Sequence, residues 1–487
     1  MVNSTLFNTG VISPFPAQLS NLTSLSILEL VNGQLGGSLP YLPQLTELDV
    51  SRSFDLHIDL TKMFNQQWPK LQRLWMSHTK VTGQILDMIS HVPVLVSLDA
   101  SGCSIQETLS SILANLSQLK FLDTSSNSIT GTLSNCLKNL QNLWYFGISS
   151  NSIEGSISII PLVNELNLAE LDTSSNIKLI VVIDDHSNVY PNSKLKRLRL
   201  TSTGLKGSPN FICNLTGLVE LDLSHSNLTG TIPSCLFKLK YLNELHLGNN
   251  MLSGNLPLPP QNLSTIDISN NKLSGEISIE TGKRLSNAKI ILLYGNELSG
   301  SIPFSIYPTE SDGGILDLSS KRLNRSIRTN IFPGSTLASL NLGANNLTGI
   351  VPKELEFAKD LQILLLNDNH LEGTINFISG LHNLEYLNLG NNNFGGSIPT
   401  ALGSIQGLNV LSLRSNKLYG PIPEEILYLQ ELCVLDLSLN NLSGHIPSRL
   451  GNLSGLTIKA LATRRADPIT IHHHLVHVCY ALGIFFF

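Results

Sequence analysis

The sequence has 487 residues, of which 14% are charged and 42% are hydrophobic, with 36 Gly and 22 Pro. This balance excludes an intrinsically disordered chain, which needs low hydrophobicity and high charge. Lys and Arg total 31 against 36 Asp and Glu, so no basic excess exists to neutralise phosphates and nucleic acid is not an expected partner. Six Cys in a chain of this length are too few for a disulfide scaffold.

The first 20 residues fit a partial, degenerate repeat. The opening decapeptide MVNSTLFNTG has neither the basic residue nor the apolar run that begins a secretory signal. Leu6, Thr9, Val11 and Pro16 instead occupy positions of the repeat that follows. We therefore assign residues 1–20 to a repeat of which only part is present.

Residues 21–457 are self-similar throughout. The stretches LKFLDTSSNSITGTL from Leu119, LVELDLSHSNLTGTIP from Leu218 and LNVLSLRSNKLYGPIP from Leu408 share the pattern L-x-x-L-x-L-x-x-(N/S)-x-L-x-G-x-(I/L). Most spacings between repeats are about 23 to 25 residues, and such a period indicates a solenoid. The first apolar residue of each L-x-L segment anchors about 18 turns: Leu28, Leu48, Leu74, Leu98, Leu122, Phe146, Leu171, Leu198, Leu221, Leu245, Ile266, Ile291, Leu316, Leu340, Leu364, Leu387, Leu411 and Leu435.

Each turn is predicted to contain one short strand. Because side chains alternate along a strand, the anchor and the residue two further on point inward, and their neighbours point outward. One turn cannot bury its apolar side alone, so stacked turns supply the core and their strands pair into a parallel sheet.

An Asn recurs five residues after most anchors, where the chain leaves the strand in a tight turn. An inward Asn can satisfy buried backbone donors and acceptors of adjoining turns, so we interpret it as structural. Gly33 and Lys321 depart from this pattern. The Asn ladder comprises Asn127, Asn151, Asn176, Asn250, Asn271, Asn296, Asn345, Asn369, Asn392, Asn416 and Asn440.

The segment after the Asn reads LSGSIP from Leu298, LYGPIP from Leu418 and LSGHIP from Leu442. This L-x-G-x-(I/L)-P module resembles the plant leucine-rich repeat of receptor-like proteins, receptor-like kinases and polygalacturonase-inhibiting proteins. The resemblance implies an α/β repeat solenoid of about 18 repeats of ~24 residues. It further implies a right-handed superhelix with a concave parallel β-sheet and a second short strand near G-x-I-P. Neither the family's cysteine caps nor a kinase motif is recognisable, so we interpret the chain as a partial or truncated ectodomain.

Candidate ligand-binding residues are the large or charged non-consensus side chains just before, just after or three after an anchor. Trp, Tyr and Arg are the usual anchors of protein interfaces. Arg197 and Arg199 lie beside Glu220 on the next turn, and this patch could read a polar peptide or glycan or could be an ion-pair ladder of little energetic value. The candidates are Arg73, Trp75, Tyr145, Arg197, Arg199, Glu220, Glu244, His246, Tyr294, Tyr386 and Arg414.

The sequence contains several N-x-(S/T) sequons, which are compatible with secretion and also arise from the repeat consensus. The candidate glycosylation sites are Asn21, Asn115, Asn214, Asn227, Asn262, Asn324, Asn346, Asn441 and Asn452.

Three cysteines fall on the side of the turns opposite the strands. Cys213 and Cys235 are on adjacent turns, close enough in principle for a bridge, but two free, buried thiols are the favoured interpretation. Cys136 occupies an equivalent place on an earlier turn.

Residues 458–487 form a non-repeat tail that contains His and a closing apolar run. The run LVHVCYALGIFFF has 13 residues and contains His477, so it is too short to span a bilayer, which needs ~20 apolar residues. A cluster of His and Cys residues in this tail has side chains of the kind that bind metals, but no second set of ligands lies nearby. Neither a metal site nor a cofactor is therefore predicted. The members of the cluster are His472, His473, His474, His477 and Cys479.

No phosphate-binding loop, nucleophile elbow or pair of catalytic carboxylates is recognisable, and we do not expect an enzyme. The resemblance implies a recognition module of a plant cell-surface receptor-like protein in defence or developmental signalling. Its expected partners are a peptide, glycan or protein ligand and a co-receptor kinase, at the plasma membrane or outside the cell. A secreted polygalacturonase-type inhibitor and an inactive truncated product are the alternatives.

Overall fold

The computed structural model describes most of the repeat region. The described residues are 2–5, 13–14, 21–32, 35–36, 40–54, 56–109, 118–133, 140–183, 193–205, 209–308, 313–319, 322–328 and 336–453. Gly33, Lys321, Cys136 and the 458–487 tail lie outside them. The chain divides into a first unit, Met1–Thr229 with Pro233–Met251, and a second unit, Gly230–Ile232 with Leu252–Phe487.

The first unit is built on parallel strands that pair turn upon turn. Each anchor from Leu28 to Leu245 lies in one of them, as the repeat spacing predicts. A further strand at the N-terminal end pairs with Leu25–Glu29 across a register shift. The strands are Val2–Thr5, Leu25–Glu29, Glu47–Asp49, Arg73–Trp75, Ser97–Asp99, Phe121–Asp123, Tyr145–Gly147, Glu170–Asp172, Arg197–Arg199, Glu220–Asp222 and Glu244–His246.

The second unit repeats the same arrangement. Its eight anchors, Ile266 to Leu435, each lie in a strand, and consecutive strands pair in parallel. The prediction of an α/β leucine-rich-repeat solenoid with about 18 turns is therefore confirmed. The strands are Thr265–Asp267, Ile290–Leu292, Gly314–Asp317, Leu337–Asn341, Ile363–Leu365, Tyr386–Asn388, Val410–Ser412 and Val434–Asp436.

Alternation along these strands separates core from surface. Leu74, Leu198 and Leu364 are fully buried, whereas the residues on either side of Leu198 remain partly exposed. Because paired strands keep the same register, equivalent side chains of successive turns lie beside one another. We call the outward side chains of these strands, with the residues that follow them, the main-sheet face.

Most turns carry a second short strand, as the resemblance to plant repeats implies. Its L-x-G segment requires a left-handed residue: Gly373 has φ +84°, and a Cβ there would lie 2.8 Å from Cγ2 of Ile350. The second strands are Ser13–Pro14, Leu35–Gly36, His57–Asp59, Lys80–Thr82, Thr130–Thr132, Ser152–Ser158, Lys178–Val182, Thr229–Thr231, Met251–Asn255, Lys272–Glu276, Glu297–Ser299, Asn324–Arg325, Asn346–Ile350, His370–Gly373, Asn393–Gly396, Lys417–Gly420 and Asn441–Leu442.

Short helices complete several turns within the described residues. Pro399 and Pro423 directly precede two of them, where a missing N–H removes no helical bond. The α-helices are Leu60–Met63, Ile85–Ile89, Ile159–Glu165 and Ile279–Leu285. The 3-10 helices are Pro209–Asn214, Leu236–Lys238, Lys353–Phe357, Asn376–Gly380, Thr400–Ser404, Glu424–Tyr428 and Leu450–Asn452.

The recurring Asn binds adjoining turns together. In the turn of Asn127, the side-chain amide donates to the carbonyls of Thr124 and, one turn earlier, Ala100, and its Oδ1 accepts from the N–H of Ile105. The other ten Asn residues of the ladder make equivalent bonds. Where Ser226 replaces Asn, its hydroxyl donates to the Leu200 carbonyl over 3.2 Å.

Candidate functional site

Three charged candidates of the first unit form an ion-pair network with Glu170 across three neighbouring strands. The Arg199 guanidinium donates to both carboxylate oxygens of Glu220, at 2.5 Å and 2.8 Å. Arg197 pairs with Glu170 on one side and, at 3.4 Å, with Glu220 on the other. Only 9% of the Glu220 side chain is exposed. The sequence predicts this juxtaposition, and its geometry is that of the ion-pair ladder.

Two further charged pairs lie on the main-sheet face of this unit. Arg73 contacts Glu47 on the preceding strand, and both side chains remain partly exposed. The Nε2 atom of His246 is 3.9 Å from a carboxylate oxygen of Glu244, which is a pair only when the imidazole is protonated. Arg73 and the Glu244–His246 pair do not belong to the Arg–Glu network.

Tyr145 lies within an aromatic cluster. Its ring stacks on Phe121 with centroids 4.4 Å apart, and the Trp144 ring is 5.6 Å from Phe121. The Tyr145 hydroxyl donates to a carboxylate oxygen of Asp123 over 3.1 Å, and burial together with that negative charge raises the pKa of Tyr145. Trp75, two strands earlier than Phe121, donates its indole N–H to a serine hydroxyl.

The consensus Asp after the anchor closes the strand-end turn. Asp99 accepts from the backbone N–H and the hydroxyl of Ser101, yet burial outweighs these bonds and raises the pKa of its carboxyl group. At Asp436, burial is outweighed instead by hydrogen bonds from Ser438 and by the charge of Arg414, which lower its pKa. These Asp residues have structural partners on their own strand or turn.

The candidates of the second unit are distributed over separate turns. Tyr294 is half-buried and lines an open cavity of about 480 Å³ beside the ion pair of Arg322 with Glu297, whose atoms are 3.0 Å apart. Burial raises the pKa of Tyr294. Arg414 donates to the Ser438 hydroxyl over 3.0 Å. The second unit therefore brings no equivalent of the Arg–Glu network together from these candidates.

Tyr386 lies in the strand register between two aliphatic residues. It is opposite Ile363 on the preceding strand and Val410 on the following one. Its ring therefore belongs to a row of apolar side chains, in contrast to the charged row at equivalent positions of the first unit.

The interpretation of Cys213 and Cys235 as two free thiols is wrong. Both are partly exposed, and they form a disulfide with their Cα atoms 5.4 Å apart, within the usual range. The bond joins adjacent turns at 3-10 segments, a path that the strand register alone does not fix. Cys103 is free and buried and occupies the ladder position of its turn, where its thiol donates to the Met76 carbonyl over 3.0 Å.

The described sequons have exposed Asn residues, so an oligosaccharide could be attached without unpacking a turn. Asn115 lies outside the described residues, as does the side chain of Asn452. The exposed positions are Asn21, Asn214, Asn227, Asn262, Asn324, Asn346 and Asn441.

The described residues contain neither a cluster of metal-ligating side chains nor a helix that could span a membrane. No group of three or more His, Cys, Asp and Glu is placed to hold a metal ion. No helix in the described part of the chain is long and apolar enough to cross a bilayer. The His cluster of the tail lies outside that part.

Sequence reasoning missed part of the aromatic surface. Trp144 is 43% exposed but lies two residues before its anchor, outside the three outward positions considered. Phe121 directly precedes its anchor and is large, so the same selection rule should have included it. Lys120, exposed and next to Phe121, was missed for the same reason as Trp144.

Four segments of the chain match a known repeat family. The family described as Leucine Rich Repeat matches residues 217–239, 262–283, 383–405 and 431–453. These four segments lie within the region where the strand and ladder positions recur.

Curated relatives include receptor-like proteins of Arabidopsis thaliana. Receptor-like protein 35 is 41% identical over 85 residues, which is 17% of this chain and 9% of that protein. Receptor-like protein CLAVATA2 is 41% identical over 76 residues, 15% of this chain and 10% of that protein. The matched segments thus span less than a fifth of the length of these relatives.

Solved structures with the same architecture include plant receptor ectodomains. The Arabidopsis receptor kinase HAESA ectodomain, in complex with an IDA peptide hormone, is 27% identical with a TM-score of 0.73, covering 91% of this chain and 83% of that chain. The GASSHO1/SCHENGEN3 ectodomain from Arabidopsis thaliana, in complex with CASPARIAN STRIP INTEGRITY FACTOR 2, is 27% identical with a TM-score of 0.64, covering 91% and 53%. This chain therefore contains leucine-rich repeats and is similar to plant receptor-like proteins over short segments and to plant receptor ectodomains over most of its length.

Proposed function

We propose that this chain is a non-catalytic recognition module of a plant cell-surface receptor-like protein. Its main-sheet face binds a peptide, glycan or protein ligand, or a co-receptor kinase, in defence or developmental signalling. The observation that carries this proposal is the set of Arg, Glu, Trp and Tyr side chains held on a rigid paired sheet.

The Arg–Glu network supplies preorganisation. Arg199 is fixed by two hydrogen bonds to Glu220, and Arg197 lies between Glu170 and Glu220. Side chains that are already ordered lose less conformational entropy when a ligand binds. The network pairs two arginines with two glutamates, and the consensus Asp residues of both flanking strands lie in register with Arg199, so a simple polyanion is disfavoured as a ligand.

The disulfide and the sequons support a route through the secretory pathway. Disulfides persist in oxidising compartments, and the Cys213–Cys235 bond is partly exposed, where a cytosolic reductant would reach it. Exposed sequon Asn residues are compatible with glycosylation in the same pathway. Both observations support a location at the plasma membrane or outside the cell.

The relatives support recognition in preference to catalysis. The curated matches are named as receptor-like proteins, and a HAESA structure contains both the peptide hormone IDA and the co-receptor SERK1. By analogy, a peptide and a partner kinase are the ligand classes to test first.

The test uses this chain secreted behind a heterologous leader and purified as a disulfide-bonded protein. Binding to a synthetic peptide library and to an array of plant cell-wall oligosaccharides is measured by interferometry. We expect a saturable ligand whose affinity falls ~10-fold when an interface anchor is altered. Absence of binding on both arrays would argue against recognition, and inhibition of a polygalacturonase would support the inhibitor alternative.

Variants that test ligand binding should not unpair the charged side chains of the Arg–Glu network. Single reversal of Arg199 would place a second carboxylate against the buried Glu220, which would keep only its 3.4 Å contact with Arg197. The double variant Arg199→Glu/Glu220→Arg is used instead because it keeps the pair and inverts its orientation. Arg414→Glu probes the second unit separately. An affinity unchanged in both variants, with melting temperature preserved, would contradict the placement of the ligand on these residues.

A further inference from the structure

An open cavity of about 880 Å³ lies in the first unit, at the edge of the sheet where the strands begin. Its lining spans four consecutive turns, and none of its walls belongs to the Arg–Glu network. We call it the rim cavity; its principal lining residues are Arg73, Trp75, Val94, Lys120, Phe121 and Trp144.

One wall of the rim cavity is apolar and solvent-facing. Trp144 and Val94 are 43% and 38% exposed, among the large hydrophobic side chains left open on the chain. The ring of Phe121, on the preceding strand, packs against Trp144, and the ring of Tyr145 stacks on Phe121. Exposed aromatic and aliphatic side chains that line a common concavity indicate a binding surface, whereas isolated ones do not.

Lys120 gives the rim cavity a positive charge that no described carboxylate neutralises. Lys120 is exposed and forms no ion pair with any described residue, whereas Arg73 is already paired with Glu47. The Lys120 carbonyl accepts the N–H of Trp144 over 2.8 Å, which fixes the ammonium-bearing residue beside the aromatic wall. Asp99, the acidic group of the lining, is bonded to Ser101. Lys120 is therefore the cation of the lining whose charge no described carboxylate already balances.

We propose that the rim cavity is a subsite for an extended acidic peptide. An aromatic or large aliphatic side chain of the peptide packs against Trp144, Phe121 and Val94, and a neighbouring carboxylate pairs with Lys120. The inference rests on the proposed function and narrows it to one ligand class at one place.

The chemistry of the wall favours a peptide over a sugar. Pro93, Val94 and Val96 offer no hydrogen-bonding side chain, so pyranose hydroxyls that faced them would lose water without gaining a partner. An apolar peptide side chain meets no such penalty. The exposed amides of Gln72 and Gln118 carry both a donor and an acceptor and suit the backbone of an extended peptide.

The test uses three fluorescein-labelled hexapeptides whose central residues are Phe-Glu, Phe-Lys or Ala-Glu in an otherwise alanine background. Affinity is measured by fluorescence anisotropy with the full chain. We expect the Phe-Glu peptide to bind ~2- to 5-fold more tightly than the Phe-Lys peptide, from one exposed charge pair. Loss of the aromatic contact in the Ala-Glu peptide should weaken binding ~10-fold.

Tryptophan emission identifies the place of binding with unlabelled peptide. Of the three Trp, Trp68 is 1% exposed and Trp144 is the most open, so a saturable shift in emission reports Trp144 or its neighbour Trp75. Trp144→Ala should reduce affinity for the labelled Phe-Glu peptide ~10-fold, and Trp144→Phe should largely restore it. Tyr241→Ala removes another exposed aromatic beside a lysine and should leave affinity unchanged.

Lys120→Met should abolish the preference for the Phe-Glu over the Phe-Lys peptide. Equal affinities of the three peptides, or insensitivity to Trp144→Ala in a variant whose circular dichroism is native, would overturn the proposal. So would a shift in Trp emission caused by tetragalacturonate and by none of the peptides, because the occupant would then be a glycan. A library ligand that binds the main-sheet face with an affinity unchanged by these variants would overturn the rim-cavity subsite alone. The proposed function would then remain intact.

Discussion

The Asn ladder makes a quantitative prediction at Asn369. This residue is 5% exposed, its amide donates to the carbonyls of Leu342 and Leu366, and its Oδ1 accepts the N–H of Leu347 over 3.0 Å. Asn369→Ala orphans that N–H at about 1–3 kcal/mol and removes hydrogen bonds to the carbonyls worth about 1 kcal/mol. The expected cost is about 2–4 kcal/mol, concentrated at two neighbouring turns.

Native-state hydrogen exchange is the appropriate assay, because a repeat array need not unfold in one step. A loss of about 2–4 kcal/mol corresponds to a ~30- to ~900-fold faster exchange of the Leu347 amide. Asn369→Ser should lose less than Asn369→Ala, because the hydroxyl of Ser226 already serves at an equivalent position. Exchange changed by less than ~3-fold, or Ser as costly as Ala, would refute the hydrogen-bond account.

Three other predictions concern stability. Asp99 has a raised pKa, so its contribution is present below the unfolded value of ~3.9 and is lost as pH rises through the folded pKa; Asp99→Asn should therefore raise the melting temperature relative to wild type at pH 7 and not at pH 3. Asp436 has a lowered pKa, so Asp436→Asn should lower the melting temperature at pH 7. A change of melting temperature in the same direction for both variants at pH 7 would contradict this reasoning. Cys235→Ser, which opens a bridge spanning 22 residues, should cost about 3 kcal/mol by urea unfolding; an equal response of wild type and variant to dithiothreitol would refute this. Gly230 and Gly373 share φ +84°, but only Gly373 is crowded, so Gly230→Ala should cost about 1–2 kcal/mol of backbone strain and Gly373→Ala more; equal melting temperatures would exclude the steric contribution.

The sequence predicts the strands well because their signal is repeated in every turn. Most anchors recur after about 23 to 25 residues. A parallel register then places Arg199 beside Asp222 and Arg197 beside Glu220. Which charged groups bond is decided by side-chain rotamers, so the bidentate contact of Arg199 with Glu220 could not be read from spacing.

Most of the features that were missed depend on the irregular part of a turn; Phe121, which lies within its strand, is the exception. Trp144 precedes its strand, where the alternation rule does not apply, so its exposure depends on how the chain enters the sheet. Cys213 and Cys235 lie on returning segments whose paths are not periodic, and their pairing followed only from the three-dimensional arrangement.

Strand spacing has a consequence for any extended ligand laid across one unit. Neighbouring strands are about 4.8 Å apart, whereas an extended chain advances about 3.3 Å per residue. Three ligand residues therefore cover about 10 Å, close to the width of two turns. A ligand displaced by one of its own residues, about 3.3 Å, is out of phase with the turns, whereas a displacement by three residues brings it back into phase. Every third ligand residue therefore meets the sheet in the same way, and the non-consensus side chains decide at which turn the ligand lies.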